Sequence, residues 1–402
     1  MMRLSKQARG GILLIGSTAI GVGMLALPVS TAPLGFGYSF LALAAVWYFT
    51  IISAFMLLET NLFLGKGRNL GFLAKETLGK PGVIITTVAY LALLYALIVA
   101  HLTAGSAWVV NKAQLHGVAI DFTEASIGFA IFIYVIVCAG TWFADLINRI
   151  LMVALMGSFA LLCVLLAQHA NLPTLLDKPQ HMHWSILPVI TLAFGFHIII
   201  PTLTAYIDDP KQMRLSLGLG CLLPLIVYVC WQLLTLGTLP FDGAYGLDSI
   251  RAASQPTSAL IAALEHTTQS SHLGQILSAF IIIVLTTSFI GVGISLFDFL
   301  ADALSSMKLS LATRLRIGAI TILPPTFFVF TKPDLFLEVL NFGGLCVALL
   351  LGILPAAMFW KVQRRNAQPI CKKYFGKTWH IVLNLLFFSA IILIECHNLW
   401  GN

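Results

Sequence analysis

The chain has 402 residues, of which 59% are hydrophobic and only 10% charged, with a mean hydropathy of +0.94 and a formal net charge of +7. A soluble protein carries roughly a quarter of its residues as charges, so this composition excludes an ordinary soluble globular fold. It argues equally against a membrane β-barrel, whose strands alternate apolar and polar residues and dilute the hydropathy, and leaves a bundle of bilayer-spanning helices of about 20 residues each.

Hydropathy predicts eleven such segments: 10–33, 39–63, 83–110, 126–143, 150–169, 185–207, 215–239, 275–297, 315–331, 335–358 and 379–398. Three basic residues ahead of the first apolar run give it the outline of a signal peptide. A run of more than 20 apolar or small residues, followed by ten further spans, reads instead as an uncleaved first helix. The longest connections, 240–274 and 359–378, are too short for an independent core.

Basic loops stay cytoplasmic, so Lys and Arg orient the bundle. An inside N-terminus places on the inner face Arg3, Lys6, Arg9, Lys66, Arg68, Lys75, Lys80, Arg149, Lys211, Arg214, Lys308, Arg314 and Arg316, together with the six basic residues from Lys361 to Lys377. Of the 23 basic residues only Lys112, Lys178, Arg251 and Lys332 are left outside. The basic excess thus follows topology and not a nucleic-acid surface. Cys138, Cys163, Cys221, Cys230 and Cys346 fall in apolar runs without metal-ligand spacing, so neither disulfides nor a metal site is expected.

The first and sixth spans are interrupted near their middles. Gly21 and Gly23 precede Pro28 in the first, and Gly195 precedes Pro201 in the sixth. Pro28 and Pro201 cannot donate to the carbonyls of Met24 and His197, and glycine permits the chain to leave the helix. Backbone groups freed at mid-membrane cost several kcal/mol each unless protein, water or ligand satisfies them, so either break taken alone lines a cavity or else is a kink whose glycine serves close packing.

The two breaks stand five spans apart in helices of opposite direction. This predicts an inverted repeat of helices 1–5 (residues 1–169) and 6–10 (185–358), with helix 11 (379–398) appended, the plan of an alternating-access carrier. Amides around Gly23, Met24 and Leu25 would offer a positive helix end to a carboxylate. The carbonyls of Thr18 to Gly21, and those before Phe196, would suit an ammonium group or a cation. A zwitterionic amino acid satisfies both ends.

At these residues the sequence resembles the hydroxy and aromatic amino acid permease family, the bacterial tyrosine and tryptophan permeases of the amino acid–polyamine–organocation superfamily. The matching stretches are Ile20-Gly21-Val22-Gly23-Met24-Leu25-Ala26, Leu57-Leu58-Glu59, Phe194-Gly195-Phe196-His197 with Pro201, and Trp231-Gln232 with Leu236-Gly237. Thr287 to Val292 continuing into Leu296 to Asp302, and Leu323-Pro324-Pro325, match as well. The resemblance implies an all-α integral membrane fold of the leucine-transporter type with eleven helices, a bacterial inner membrane, and proton-driven uptake of an aromatic L-amino acid, tyrosine favoured and tryptophan next. Two positions depart from it: His101 stands where an aromatic is usual, and Phe342 in Asn341-Phe342-Gly343-Gly344 where a tyrosine is common.

The expected substrate site comprises Thr18, Ile20, Gly21, Val22, Gly23, Met24, Tyr95, Phe194, Gly195, Phe196, His197, Ser288 and Phe342. Tyr95, Phe196 and Phe342 would offer ring faces to the substrate, or else pack as core aromatics. Ionisable groups inside a membrane are costly, so His197, Glu59 and His101 are candidates for proton coupling; His197 equally suits a neutral imidazole bonding a freed carbonyl, and Glu59 better suits an ion pair with a nearby basic residue. Ala19, Thr287 and Ser288 form a possible cation site and keep sodium coupling open, although the two hydroxyls suit bonds to their own helix. Asp298 and Asp302, one turn apart, read as an inner-gate or loop-anchoring pair, or as solvated interfacial residues.

No cofactor, nucleic acid or obligate protein partner is expected beyond substrate, coupling ion and lipid. A membrane hydrolase would need a nucleophile with an acid partner, and a channel would need charge rings or a filter; neither pattern is present. A serine or threonine permease of the same fold is the remaining alternative.

Overall fold

The computed structural model describes residues 4–139, 141–177, 183–304, 310–365 and 377–400. Among the basic residues used to orient the chain, Arg3, Lys178, Lys308, Lys372 and Lys373 lie outside the described residues. The elements, all helical, are α1 (Lys6–Ala19), α2 (Val22–Thr31), α3 (Gly35–Leu64), α4 (Leu70–Leu115), α5 (Phe122–Ala139), α6 (Thr141–Ala167), α7 (Leu172–Leu176), α8 (Leu187–Ala193) and α9 (Ile200–Tyr206). There follow α10 (Pro210–Thr238), α11 (Leu247–Ala252), α12 (Pro256–Thr268), α13 (Ser271–Leu304), α14 (Leu311–Thr331), α15 (Phe336–Val347), α16 (Leu354–Arg365) and α17 (Thr378–Trp400).

Among the described residues, nine helical stretches are long and apolar enough to cross a bilayer. They take up the predicted spans with two differences. The second half of span one runs with span two as a single stretch, Val22–Leu64, and span nine corresponds to α14, which is helical but is not among the nine. Span three extends to α4, whose register changes at Gly79, a residue with φ 72° that only glycine adopts easily.

Polar side chains set the starts of several helices. Ser5 accepts from the amide of Ala8, Asn69 from that of Phe72, Asp209 from that of Lys211 and Ser310 from that of Thr313. Between spans, small residues permit close approach. A Cβ on Gly220 of α10 would lie 2.8 Å from Ile15 Cδ1 of α1, and Gly344 of α15 has no room for one against the carbonyl of Pro188 in the first turn of α8.

Proline defects are answered by hydroxyls from other helices. Pro324 cannot bond the carbonyl of Ile320, and Tyr95 Oη donates to it at 3.0 Å. Pro355 frees the carbonyl of Leu351 in the π-turn between α15 and α16, and Ser53 Oγ donates to it. α1 packs on α10, α8 on α15, and α4 on both α13 and α15. These contacts hold the two interrupted spans, α1–α2 and α8–α9, at the centre of the bundle.

Candidate substrate site

The first break is two residues long: Ile20 and Gly21 are extended between Ala19, which ends α1, and Val22, which begins α2. Gly21 is needed there for its size, because a Cβ on it would lie 2.8 Å from Ser288 Oγ. Gly23 is needed likewise, its absent Cβ falling 3.1 Å from Ala193 Cα. With Gly21 at the cap position, no side chain bonds the first amides of α2; that of Met24, expected from the sequence to face a carboxylate, bonds the Gly21 carbonyl at 3.0 Å, which leaves the donors of Val22 and Gly23 at the positive end for solvent or ligand.

The second break begins where α8 ends, at Ala193. The amides of Phe194, Gly195 and Phe196 fold back on Thr191, Leu192 and Phe194, and a 3-10 turn, His197–Ile199, leads into α9. Tyr228 of α10 lies between the breaks. Its hydroxyl is 2.7 Å from the carbonyl oxygen of Ala19 and 2.7 Å from that of Ala193, the last residues of α1 and α8. The edge of the Phe194 ring meets the Tyr228 ring at 5.1 Å. The two carbonyls that the sequence offered to an ammonium group or a cation therefore share one internal hydroxyl. Each keeps a second lone pair.

A cavity of about 350 Å3 lies between the breaks, α4, α6 and α13. It brings together Thr18, Ala19, Ile20, Gly21, Val22, Gly23, Gly195, Thr287 and Ser288, all expected from the sequence. Two of the hydroxyls are engaged locally: Thr18 donates to the carbonyl of Leu14 at 2.7 Å, and Thr287 to those of Ile283 and Val284 at 2.9 and 3.0 Å.

Other expected residues stand elsewhere. Met24, Phe194 and Phe196 are wholly buried and do not face the cavity, Phe196 stacking on His197 with ring centroids 5.0 Å apart. Tyr95 and Phe342 line a separate apolar pocket between α4, α14 and α15. His101 is buried beside Phe289, its Nδ1 on the carbonyl of Leu97 at 2.5 Å. Glu59 is held by Arg214 in a two-pronged bond, 2.6 Å from Nε and 2.9 Å from Nη2, which ties α3 to α10.

The cavity also contains residues that the sequence did not single out: Tyr90 of α4, Asn148 of α6 with its side-chain oxygen buried and unpaired, and Ser295 of α13. Tyr90 replaces Tyr95 because five residues turn a helix by about 140°. Tyr90, Ile198 and Ser295 are shared with a second cavity, of about 650 Å3, that runs to the end of the bundle carrying Gly67, Asn69, Asp298 and Asp302. His197 lines this second cavity and not the first. A further pocket, at the opposite end around Ser30, Arg251 and Glu395, has no wall residue in common with the cavity at the breaks.

The tryptophan/tyrosine permease family profile matches residues 4–397. The chain belongs to this family. The permease is 30% identical over 381 residues to the tyrosine-specific transport system 1 of Haemophilus influenzae, 94% of each chain being covered. It is 29% identical over 387 residues to a tryptophan-specific transport protein of Pseudomonas aeruginosa, covering 94% of this chain and 91% of the other. Among solved structures it is similar to Mhp1, a nucleobase-cation-symport-1 family transporter in a closed conformation with bromovinylhydantoin bound, at a TM-score of 0.62 and 14% identity over 96% of this chain and 89% of that one. That likeness establishes the fold, the leucine-transporter type, for this multi-pass membrane permease.

Proposed function

We propose that this permease imports an aromatic amino acid, tyrosine ahead of tryptophan, by proton-coupled alternating access across a bacterial inner membrane, with its N-terminus inside. Residues 1–169 and 185–358 act as the two inverted repeats, and 379–398 is an added helix. The observation that carries the reading is the uncapped amino end of α2, opening on a cavity between two interrupted helices in a chain of the tryptophan/tyrosine permease family. The substrate carboxylate takes the amides at Val22 and Gly23, the ammonium group faces the carbonyl end of α1, and the ring lies toward Tyr90 on the α4 side of the cavity. The names of the two curated relatives, one tyrosine-specific and one tryptophan-specific, support the substrate class.

Tyr228 supports a proton over sodium. A cation bridging the carbonyl ends of α1 and α8 would have to replace the hydroxyl that already joins them, whereas an ammonium group needs only the second lone pair at the end of α1. His197, buried with neither ring nitrogen in a hydrogen bond of good geometry, is the proposed proton carrier. The test is uptake of labelled tyrosine into proteoliposomes under an imposed proton or sodium gradient, with tryptophan, phenylalanine and serine as competitors. Proton-driven uptake blocked by the aromatics is expected. Serine outcompeting every aromatic would overturn the substrate, and accumulation driven by sodium alone would overturn the coupling ion.

A further inference from the structure

The second cavity, between the breaks and the basic end of the bundle, contains more than a passage requires. Asp298 and Asp302 lie one turn apart on α13 at its mouth, both exposed. Arg314 is a basic neighbour of Asp298, and the two carboxylates outnumber it. On the same wall Tyr90 and Phe299 form a ring pair, with centroids 5.4 Å apart and planes inclined by 59°. Deeper in, His197 is 1% exposed, and neither ring nitrogen has a hydrogen bond of good geometry, the backbone of Thr50 being a polar neighbour.

Each feature answers one part of an aromatic amino acid. Carboxylates pair with an ammonium group, an inclined ring pair accepts a further ring edge or face, and a neutral imidazole N–H donates to a carboxylate. The volume, about 650 Å3, lies within the ordinary range of ligand pockets, roughly 300–1,000 Å3. The shared residues Tyr90, Ile198 and Ser295 put this cavity in line with the one at the breaks.

We propose that this vestibule is a second amino acid site, occupied on the way out. It binds the zwitterion with its ammonium group on Asp298 and Asp302, its ring against Tyr90 and Phe299 and its carboxylate toward His197. The inference rests on the aromatic substrate class proposed above, but not on the coupling ion. A site in series shortens the step from the central cavity to water, because the ring leaves one apolar surface for another.

Equilibrium binding of labelled tyrosine to the purified full-length permease tests it. The wild type is expected to take up a second, weaker equivalent per chain at high ligand concentration, and Asp298→Asn and Phe299→Leu to lose that equivalent while the tighter one is still measurable. Phe299→Leu keeps an apolar side chain while removing the ring, so it stands in if the Asp298 variant fails to fold. A single equivalent in the wild type, or a second one that survives both substitutions, overturns the vestibule site and leaves the central one intact. No tyrosine bound at all would remove the aromatic reading and this inference with it.

Discussion

Ala19 and Ala193 end their half-helices on either side of one hydroxyl, each carbonyl oxygen 2.7 Å from Tyr228 Oη. One phenol thus joins the negative ends of both interrupted spans, where two like partial charges would otherwise face each other. Tyr228→Phe removes the hydroxyl hydrogen that lies between them. A buried acceptor left unsatisfied costs about 1–3 kcal/mol, so the variant is expected to melt at a lower temperature and to raise the half-saturation for tyrosine uptake by about one order of magnitude. Thermal unfolding and uptake measured on the same preparation check this; wild-type values in both would contradict the bridging role.

Gly23→Leu acts on the same junction from the other side. The added side chain begins 3.1 Å from Ala193 Cα, in backbone that cannot yield as a flexible side chain would. Normal insertion with loss of tyrosine binding is expected, read by membrane localisation and equilibrium binding. Full affinity in this variant would remove the amino end of α2 as the carboxylate site.

Glu59→Gln should destabilise without touching the cavity. Breaking a buried ion pair costs roughly 3–5 kcal/mol, and the 22% exposure of the Arg214 side chain brings the expectation down to about 2–3 kcal/mol. Thermal unfolding gives the number. A proton-coupling role for Glu59 would instead leave stability nearly unchanged and abolish gradient-driven accumulation.

His197→Gln is expected to weaken accumulation driven by a proton gradient more than tyrosine–tyrosine exchange, because exchange needs no net proton movement. The two assays on one proteoliposome preparation separate the effects. A pH dependence of accumulation identical to the wild type would eliminate His197 as the carrier.

Tyr95→Phe separates the apolar pocket from the substrate cavity. It leaves the Ile320 carbonyl, freed by Pro324, without its donor, so a loss of about 1 kcal/mol in stability is expected with the half-saturation for tyrosine retained. A marked rise in half-saturation would return Tyr95 to the substrate site.

The breaks were legible in the sequence because glycine and proline act locally: Gly21, Gly23, Gly195, Pro28 and Pro201 mark them without knowledge of any neighbour. Helix phase was harder to read. Tyr95 and Tyr90 lie on one span, and hydropathy alone does not say which faces inward when almost every residue is apolar. Tyr228 was out of reach, since its meaning comes from α10 packing on α1 and passing both breaks, a relation among three spans distant in the chain. Phe342 was expected at the site as the residue standing where the family commonly has a tyrosine, but α15 turns Gly344 to Pro188 and leaves Phe342 in the apolar pocket.

The central claim is that an aromatic amino acid binds as a zwitterion, carboxylate to the amides that open α2. The measurement that tests it most directly is competition against labelled tyrosine by unlabelled tyrosine, tryptophan and tyramine, which keeps the phenol and the ammonium group but lacks the carboxylate. Tyrosine and tryptophan should displace the label at comparable concentrations, with tyramine weaker by about two orders of magnitude, the equivalent of roughly 3 kcal/mol for charge-assisted bonds not made. Tyramine competing as well as tyrosine would contradict the account.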